Sequence, residues 1–322
     1  MAGGGGTLMG RLVAIRVLQA VPVILIVSVL AFLLMSLLPG DPAVVIAGDQ
    51  ASPEAIEKVR RSLGLDRPFL EQIGLWFLQL AQGNFGASLM LNQSVVSAMG
   101  ERLPVTMSLA GLSLAITLPV GIFAGSIAAY YRQTWIDSVV MVVALLGVSI
   151  PAFWIAILAV ILFSVMLGWL PSSGFVPLAQ DPLSWFRSLV MPAAMLSLFQ
   201  IGFLARMTRS AMLDVLSQDF IRTARSKGLS EWSTVGKHAF RNALIMVITA
   251  MGILISTAIG GSVVIEQVFA LPGIGRLVVQ GILARDYPLV QGVMLIYGFA
   301  FVAINLMVDV LYTVADPRVR YD

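Results

Sequence analysis

Six uncharged apolar runs, each about long enough to cross a bilayer, dominate this sequence. Lipid offers no partner to backbone N–H and C=O groups, so each run has to be helical. Hydrophobic residues make up 58% of the chain and charged residues 11%, about half the charged share of a soluble domain. We therefore predict an all-α polytopic membrane protein with six transmembrane helices. The runs are Val17–Leu38, Leu103–Tyr131, Ser138–Leu167, Ser188–Ala205, Ala243–Ile265 and Leu289–Val308.

The segments around these runs predict the domain organisation. The glycine-rich residues 1–10 are expected to be flexible, and the first span to occupy residues 11–38. Residues 39–102 are polar enough to form an extracytoplasmic subdomain, and residues 103–322 hold the other five spans. Lys and Arg residues concentrate in short loops and helix ends on one side of the predicted membrane. The positive-inside rule assigns that side, with both termini, to the cytoplasm.

The longest polar interval in the second half of the chain is the polar segment, residues 219–242, within a predicted cytoplasmic loop at 213–242. It predicts two short helices with a break at Gly228, a residue suited to the left-handed position that ends a helix. Ser230 can cap the second helix. At α-helical spacing its buried face is predicted to comprise Trp232, Val235, Ala239 and Phe240. The pattern alone fits a loop lying on lipid as well as a docking surface for a partner.

Two further stretches suggest a translocation path. Ser149 and Pro151 interrupt the third span, which predicts either a simple kink or a break that lines a pore. The fifth span is rich in small residues, including Gly252, Ser256 and Gly260, and it leads into a loop that begins at Glu266. Glu266 could face the cargo or hold its own loop, and the structural role is favoured.

That loop contains a compact turn made of Pro272, Gly273, Ile274 and Gly275. A short helix is predicted to follow, with Leu277 and Ile282 as its apolar positions. We expect this turn to close the path from outside at rest and to meet a partner when cargo is handed over. A packing helix without any such contact is the alternative.

The residue inventory excludes several kinds of chemistry. The chain has no cysteine and one histidine, His238, so neither a metal site nor a catalytic centre is expected. The Gly236-Lys237 pair lacks the glycine and the Ser/Thr that a phosphate-binding Walker A loop requires, so the chain should bind no ATP and need no cofactor. The spans are nearly free of acidic residues, which argues against a secondary transporter or channel. The sequence shows no set of residues within the spans that could form the catalytic site of an intramembrane protease.

The motifs together resemble ABC importer permeases. Residues 222–231 and 237–244 resemble the EAA-type loop of that family, most closely its peptide-transporter branch. Further similarities to the B-type permeases for dipeptides, oligopeptides, glutathione and nickel follow in family order. They lie at residues 39–42, 147–151, 168–171, 266 with 272–275, 286–288 and 316–318.

This resemblance implies a type I importer permease in the bacterial inner membrane. Its partners would be a homologous C-type permease, two ATPase subunits that bind ATP and Mg²⁺, an extracytoplasmic solute-binding protein and the lipid bilayer, with no nucleic acid. The implied cargo is a dipeptide, oligopeptide or glutathione, with nickel or opines as alternatives. The implied coupling residues are Arg222, Thr223, Ala224, Arg225, Lys227, Gly228, Leu229, Ser230 and Glu231. The implied path and gate residues are Ser149, Pro151, Gly252, Ser256, Gly260, Glu266, Pro272, Gly273, Ile274 and Gly275.

Overall fold

Helices account for most of the computed structural model, which describes residues 18, 19, 21–33, 42–48, 51–62 and 64–315. A two-stranded antiparallel hairpin, β1 (Ala87–Ser88) and β2 (Gln93–Ser94), pairs Ala87 with Ser94. The predicted flexible stretch at 1–10, the end of the first predicted span at 34–38, the motif residues 39–41 and the closing stretch at 316–320 lie outside the described residues. The helices are α1 (Val21–Leu33), α2 (Pro42–Ala47), α3 (Pro53–Ser62), α4 (Phe69–Ala81), α5 (Val95–Tyr130), α6 (Trp135–Ser149), α7 (Ala152–Ala159), α8 (Pro182–Leu216), α9 (Asp219–Ser226), α10 (Phe240–Val268), α11 (Ile274–Leu283) and α12 (Tyr287–Ala315).

The predicted spans are largely confirmed. Within the described residues, α5, α8, α10 and α12 each contain a stretch long and apolar enough to cross a membrane. The second span begins earlier than predicted, because α5 starts at Val95 rather than at Leu103. The part of the first predicted span that the structure describes is α1, a shorter apolar helix. An Asp181 cap begins α8: its carboxylate accepts hydrogen bonds from the Ser184 hydroxyl and the Leu183 N–H, which hold its pKa below the ordinary value.

The third predicted span is broken rather than gently kinked. Helix α6 ends at Ser149, and α7 with the π-helical turn Val160–Met166 leaves at an angle of 97°. Ala144 and Gly147 of α6 face Gly202 and Leu198 of α8, whereas Ala156 and Ala159 of α7 share a core cluster with α8 residues nearer its beginning, Leu189 to Leu196. Both halves of the broken helix therefore pack against α8, at different positions along it.

The chain divides into two compact units, and the larger one comprises residues 105–275 and 304–322. Helix α8 is its central element and packs against α6, α7 and α10. At Gly125 of α5 a β-carbon would overlap Ala205 and Thr208 of α8, so these two backbones approach closely. A side-chain link in the interior adds to this contact: the Gln200 Oε1 atom accepts hydrogen bonds from the Ser113 and Thr117 hydroxyls at 3.1 and 2.9 Å.

The smaller unit comprises residues 1–104 and 276–303, so the predicted extracytoplasmic subdomain shares a compact unit with the beginning of α12. Asp286 links the two parts. Its carboxylate accepts hydrogen bonds from the Ser88 hydroxyl at 2.5 Å and the Met90 N–H at 3.0 Å, and it caps α12 through the Leu289 N–H. Asp286 is 1% exposed. From the sequence, Asp286 was known only as part of the motif at residues 286–288, and nothing indicated its contact with the β1–β2 hairpin.

A bidentate ion pair ties the start of α6 to α8 in the larger unit. Arg209 donates from Nε to Asp137 Oδ1 at 2.6 Å and from Nη2 to Oδ2 at 2.7 Å. The Gln133 N–H donates to the same carboxylate from a turn in which Gln133 has a φ of 62°. The Asp137 side chain is 8% exposed and that of Arg209 28%. The pair therefore replaces most of the water that each charge would otherwise need.

We expect Asp137→Ala to lower the free energy of unfolding by about 2–3 kcal/mol, because it leaves Arg209 partly buried without its acceptor. Thermal unfolding of the purified protein in detergent measures the effect. Arg61→Ala is the matched control: it breaks an exposed pair with Glu57, at 3.1 Å, and should cost less than about 1 kcal/mol. Equal melting temperatures for the two variants would contradict a structural role for the Asp137–Arg209 pair.

Candidate functional site

The polar segment is attached to the larger unit by a few buried side chains. In α9, Ile221 is fully buried and Ala224 is 9% exposed. Ile221 joins a core cluster with Met212 and Val215 at the end of α8 and with Ala129 of α5. The rest of α9 faces outward. The segment is therefore held at the ends of two long helices while most of its polar surface stays accessible.

Gly228 ends α9 in the predicted left-handed conformation, with a φ of 76°. The Leu229 N–H donates to the Ala224 carbonyl at 3.3 Å, and the Gly228 N–H donates to the Arg225 carbonyl at 2.9 Å. These two bonds are the Schellman pattern that satisfies the last carbonyls of a helix. A side chain at this position would meet no neighbour, so only the backbone conformation requires glycine.

The second half of the segment begins at a serine cap, as predicted. The Ser230 hydroxyl accepts a hydrogen bond from the Ser233 N–H at 3.4 Å. Across the break, Arg225 donates from Nε and Nη2 to the two carboxylate oxygens of Glu231, at 2.9 and 3.1 Å. A bidentate pair fixes direction as well as distance. It therefore sets how the two short helices are oriented relative to each other.

The predicted buried face is wrong at Trp232, whose side chain is 87% exposed. Residues Ser233–Ala239 form a π-helix rather than an α-helix. A π-helix bonds residues five apart, and the fully buried residues Thr234 and Ala239 have that spacing. Val235 and Phe240 remain half-buried against the same cluster, as predicted. The α-helical periodicity used for the prediction cannot detect this change of pitch.

The predicted coupling residues form one accessible surface. Of these nine residues, Ala224 is buried and Arg222, Thr223, Arg225, Lys227, Gly228, Leu229, Ser230 and Glu231 are exposed. Trp232 is added to them by the structure, and Phe220 and Leu229 are 41% and 40% exposed. A large aromatic ring among Arg side chains is a typical composition for a binding surface. Their coupling role stays a prediction.

Glu266 organises the predicted gate turn, which we call the Glu266 turn (residues 266–275). The carboxylate is fully buried and accepts a hydrogen bond from the Thr106 hydroxyl at 2.8 Å. The same Thr106 oxygen accepts the Ile274 N–H at 2.9 Å. A β-carbon at Gly273 would overlap the Glu266 carboxylate, and one at Gly275 would lie 2.6 Å from the Val263 Cα atom. The turn is thus wrapped closely around this carboxylate, in agreement with the favoured structural role.

Ala270 ends α10 in a left-handed conformation with a φ of 49°. The Leu271 N–H then donates to the Glu266 carbonyl at 2.9 Å, which turns the chain back over the helix end. Glycine usually marks such an ending, so the sequence did not indicate it. Ile274 is 2% exposed, and its side chain is covered instead of facing a partner.

The remaining predicted path residues divide by exposure. Ser149, Pro151 and Gly260 are exposed, while Ser256 and Pro272 are half-buried. Gly252 is buried, and a β-carbon there would lie 2.6 Å from a Val308 methyl of α12, so Gly252 serves close helix packing. The structure brings Glu266, Gly273, Ile274 and Gly275 together. It does not join Gly252 to that group, and the path assignment stays a prediction.

Comparison with known sequences identifies the family. Residues 121–321 match the "Binding-protein-dependent transport system inner membrane component" family, and residues 9–110 match its N-terminal counterpart. The chain belongs to this family. The family consists of the permease components of ABC importers, which work with ATPase and binding-protein partners. The permease is thus a multi-pass membrane transport component and not an enzyme.

Individual relatives cover almost the whole permease. A protein of Brucella melitensis named as a peptide transport system permease is 63% identical over 315 residues, covering 98% of this chain and 100% of that protein. The glutathione transport system permease of Escherichia coli K12 is 42% identical over 306 residues, covering 95% and 97%. The methionine ABC transporter, solved in an inward-facing conformation, aligns with a TM-score of 0.50 and 21% identity over 69% of this chain and 96% of that chain. The structural match shows the fold alone, a helical importer permease, as predicted.

We expect Gly273→Ala to destabilise the permease by about 1–3 kcal/mol, because the new methyl group would overlap a carboxylate held by Thr106. The melting temperature in detergent measures the loss. Gly111→Ala in α5 is the control, since a β-carbon there meets no atom within 4 Å. Its melting temperature should stay the same or rise slightly. If Gly273→Ala melts at the same temperature as Gly111→Ala, the close packing of the Glu266 turn does not contribute to stability.

Proposed function

We propose that this permease is the B-type half of an ATP-driven importer for dipeptides, oligopeptides or glutathione. It pairs with a homologous C-type permease, two ATPase subunits dock on the cytoplasmic side, and a solute-binding protein delivers the cargo from outside. ATP and Mg²⁺ are bound by the ATPase subunits. This chain supplies half of the translocation path and needs no cofactor of its own.

The accessible surface of the polar segment is the observation that carries this proposal. The segment is anchored by Ile221 and Ala239, both fully buried, and its outward surface combines basic side chains with Trp232. Exposed aromatic and Arg residues are the side chains that contribute most at protein interfaces. The Arg225–Glu231 pair orients the second helix relative to the first. A segment held in this way can transmit a movement of the ATPase to α8 and α10, which a loop lying loosely on lipid could not do.

The relatives support the cargo class. The Brucella melitensis protein is named for peptide transport and the Escherichia coli protein for glutathione transport, and both match the chain over nearly its full length. Glutathione is itself a small peptide, so the two names agree on one kind of cargo. Nickel and opines remain the alternatives within the same family.

The orientation is tested with fused reporters. With both termini in the cytoplasm, a reporter active only in the cytoplasm should work when inserted near Ser230 and be silent near Gly74 of α4. The balance of Lys and Arg between the short loops is the physical reason. The reverse pattern would place the polar segment outside the cell, where no ATPase could reach it.

Coupling is tested at the break between the two short helices. We expect Gly228→Val to insert normally but to lose most cargo-stimulated ATP hydrolysis and uptake, because a β-branched residue is strained at the φ of 76°. The assay uses the complete importer in proteoliposomes with its binding protein. Gly228→Asn is the matched control, since asparagine tolerates the left-handed conformation and should retain most activity.

Normal transport by a well-inserted Gly228→Val variant would contradict the docking role. Equal losses in the Val and Asn variants would show that side-chain bulk at this surface matters, and not the direction of the second helix. Measuring ATPase binding to each variant separates failed docking from failed coupling after docking.

A further inference from the structure

Helix α4 lies in the predicted extracytoplasmic subdomain, yet its composition is that of a membrane-associated helix. Glu71 is its one charged residue, and the ten residues from Gln72 to Ala81 carry no charge. No residue of α4 is buried. At 100° per residue the polar side chains Glu71, Gln72 and Gln79 fall on one third of the helix surface, with Leu75 among them. The rest of the α4 surface is apolar, and it is wider than the face with which a helix packs against one neighbour.

One part of that apolar surface packs on α1. The Phe32 ring of α1 lies 5.6 Å from the Phe69 ring and 5.6 Å from the Trp76 ring, measured between ring centroids. Phe32 is itself 8% exposed. Phe69 and Trp76 are separated by two helical turns, so Phe32 packs between them on one side of α4. The half-buried residues of α4 are on this side.

The position of Phe32 across the membrane follows from its level relative to α12. That helix contains a stretch suited to cross a membrane, from Tyr287 to Val308. A β-carbon at Gly298 would lie 3.1 Å from the Val27 side chain, which places Val27 of α1 level with Gly298. Gly298 is about 17 Å along α12 from Tyr287, and Phe32 is about 8 Å along α1 from Val27. With the two helices antiparallel, Phe32 lies about 9 Å inside the level at which α12 begins.

The chain after α4 agrees with this depth and with this direction. A β-carbon at Gly292 would lie 3.8 Å from the β-carbon of Phe85, four residues beyond the end of α4. A β-carbon at Gly86 would lie 3.0 Å from Pro288 at the start of α12. Gly292 is about 8 Å along α12 from Tyr287. Both contacts therefore bring the chain that follows α4 to the beginning of α12.

Two leucines of α4 stay uncovered. Leu70 is 82% exposed and lies beside the packed face, on the opposite side of the helix from Gln79. Leu78 is 57% exposed and lies beside Glu71, on the side away from α1. Helix α1 also leaves apolar side chains uncovered: Leu25, Ile26 and Leu30 are 48%, 59% and 57% exposed. Because α1 belongs to the first predicted span, its uncovered apolar surface faces acyl chains. Helix α4 packs against this helix at Phe32, next to Leu70.

We infer that α4 is an interfacial helix, embedded in the leaflet that contains the start of α12, with Leu70 inserted among the acyl chains. Its polar third, with Glu71 and Gln79, faces the headgroups and water. A depth of about 9 Å agrees with the roughly 5–10 Å at which such helices lie. The inference extends beyond cargo transport: this subdomain rests on the bilayer surface and does not project freely from it.

Spin labels on this cysteine-free chain test the inference. Single variants Leu70→Cys, Leu78→Cys and Gln79→Cys are labelled with a nitroxide in the complete importer, reconstituted into phosphatidylcholine–phosphatidylglycerol vesicles. The unsubstituted importer, labelled in the same way, is the blank. Power saturation compares the access of oxygen, which concentrates in acyl chains, with that of a water-soluble nickel chelate. The leucines are exposed, so replacing them should leave the packing against α1 intact.

We expect the label at Leu70 to show a positive shift of the depth parameter relative to the label at Gln79, with more oxygen access and less nickel access, and the label at Leu78 to give an intermediate value. Nickel access at Leu70 equal to that at Gln79 would mean that α4 stands in water, and would overturn the inference. Low access to both reagents would also overturn it, because the leucines would then be covered by the second permease or the binding protein.

Discussion

The carboxylate of Glu266 is fully buried at the end of an apolar helix, and the surrounding chain is arranged to accommodate it. Thr106 serves both sides of the contact, since its hydroxyl donates to the carboxylate and accepts the Ile274 N–H. Gly273 and Gly275 have no side chains, and this lets the turn close over the acid. In a protein surrounded by lipid, a polar group without an internal partner costs several kcal/mol. This requirement explains why a loop that could have been irregular is so closely packed.

The same requirement is met at two further polar contacts of the larger unit. Asp137 is paired with Arg209, and Gln200 accepts hydrogen bonds from two hydroxyl groups of α5. Arg209 and Gln200 both belong to α8, which is therefore held by polar contacts as well as by close packing. Between lipid-exposed helices apolar contacts gain little, because lipid is as apolar as the side chains, so such hydrogen bonds and small residues set the arrangement. The fixed position of α8 is also what holds the base of the polar segment.

The polar segment uses local structure to obtain a defined direction. Gly228 ends one helix, Ser230 begins the next, and the Arg225–Glu231 pair spans the break. The π-helix that follows buries Thr234 and Ala239 and leaves Trp232 outside. A change of helical pitch thus decides which aromatic residue a partner can reach. Such π-helical segments occur frequently at functional sites, and this one lies in the segment proposed to meet the ATPase.

The sequence by itself determined the parts of the permease that depend on local chemistry. Uncharged runs predicted the spans, because lipid allows few alternatives to a helix, and Gly228 and Ser230 predicted the helix break through backbone preferences that act over a few residues. The tertiary structure alone decided the rest. The 97° break at Pro151, the exposure of Trp232 and the burial of Ile274 depend on contacts or hydrogen-bond patterns that α-helical periodicity does not encode. The grouping of residues 1–104 with 276–303 also depends on contacts such as Ser88–Asp286, which join residues far apart in the chain. A periodic pattern shows that a helix has an apolar face, but whether protein or lipid covers that face is decided only when the helices pack.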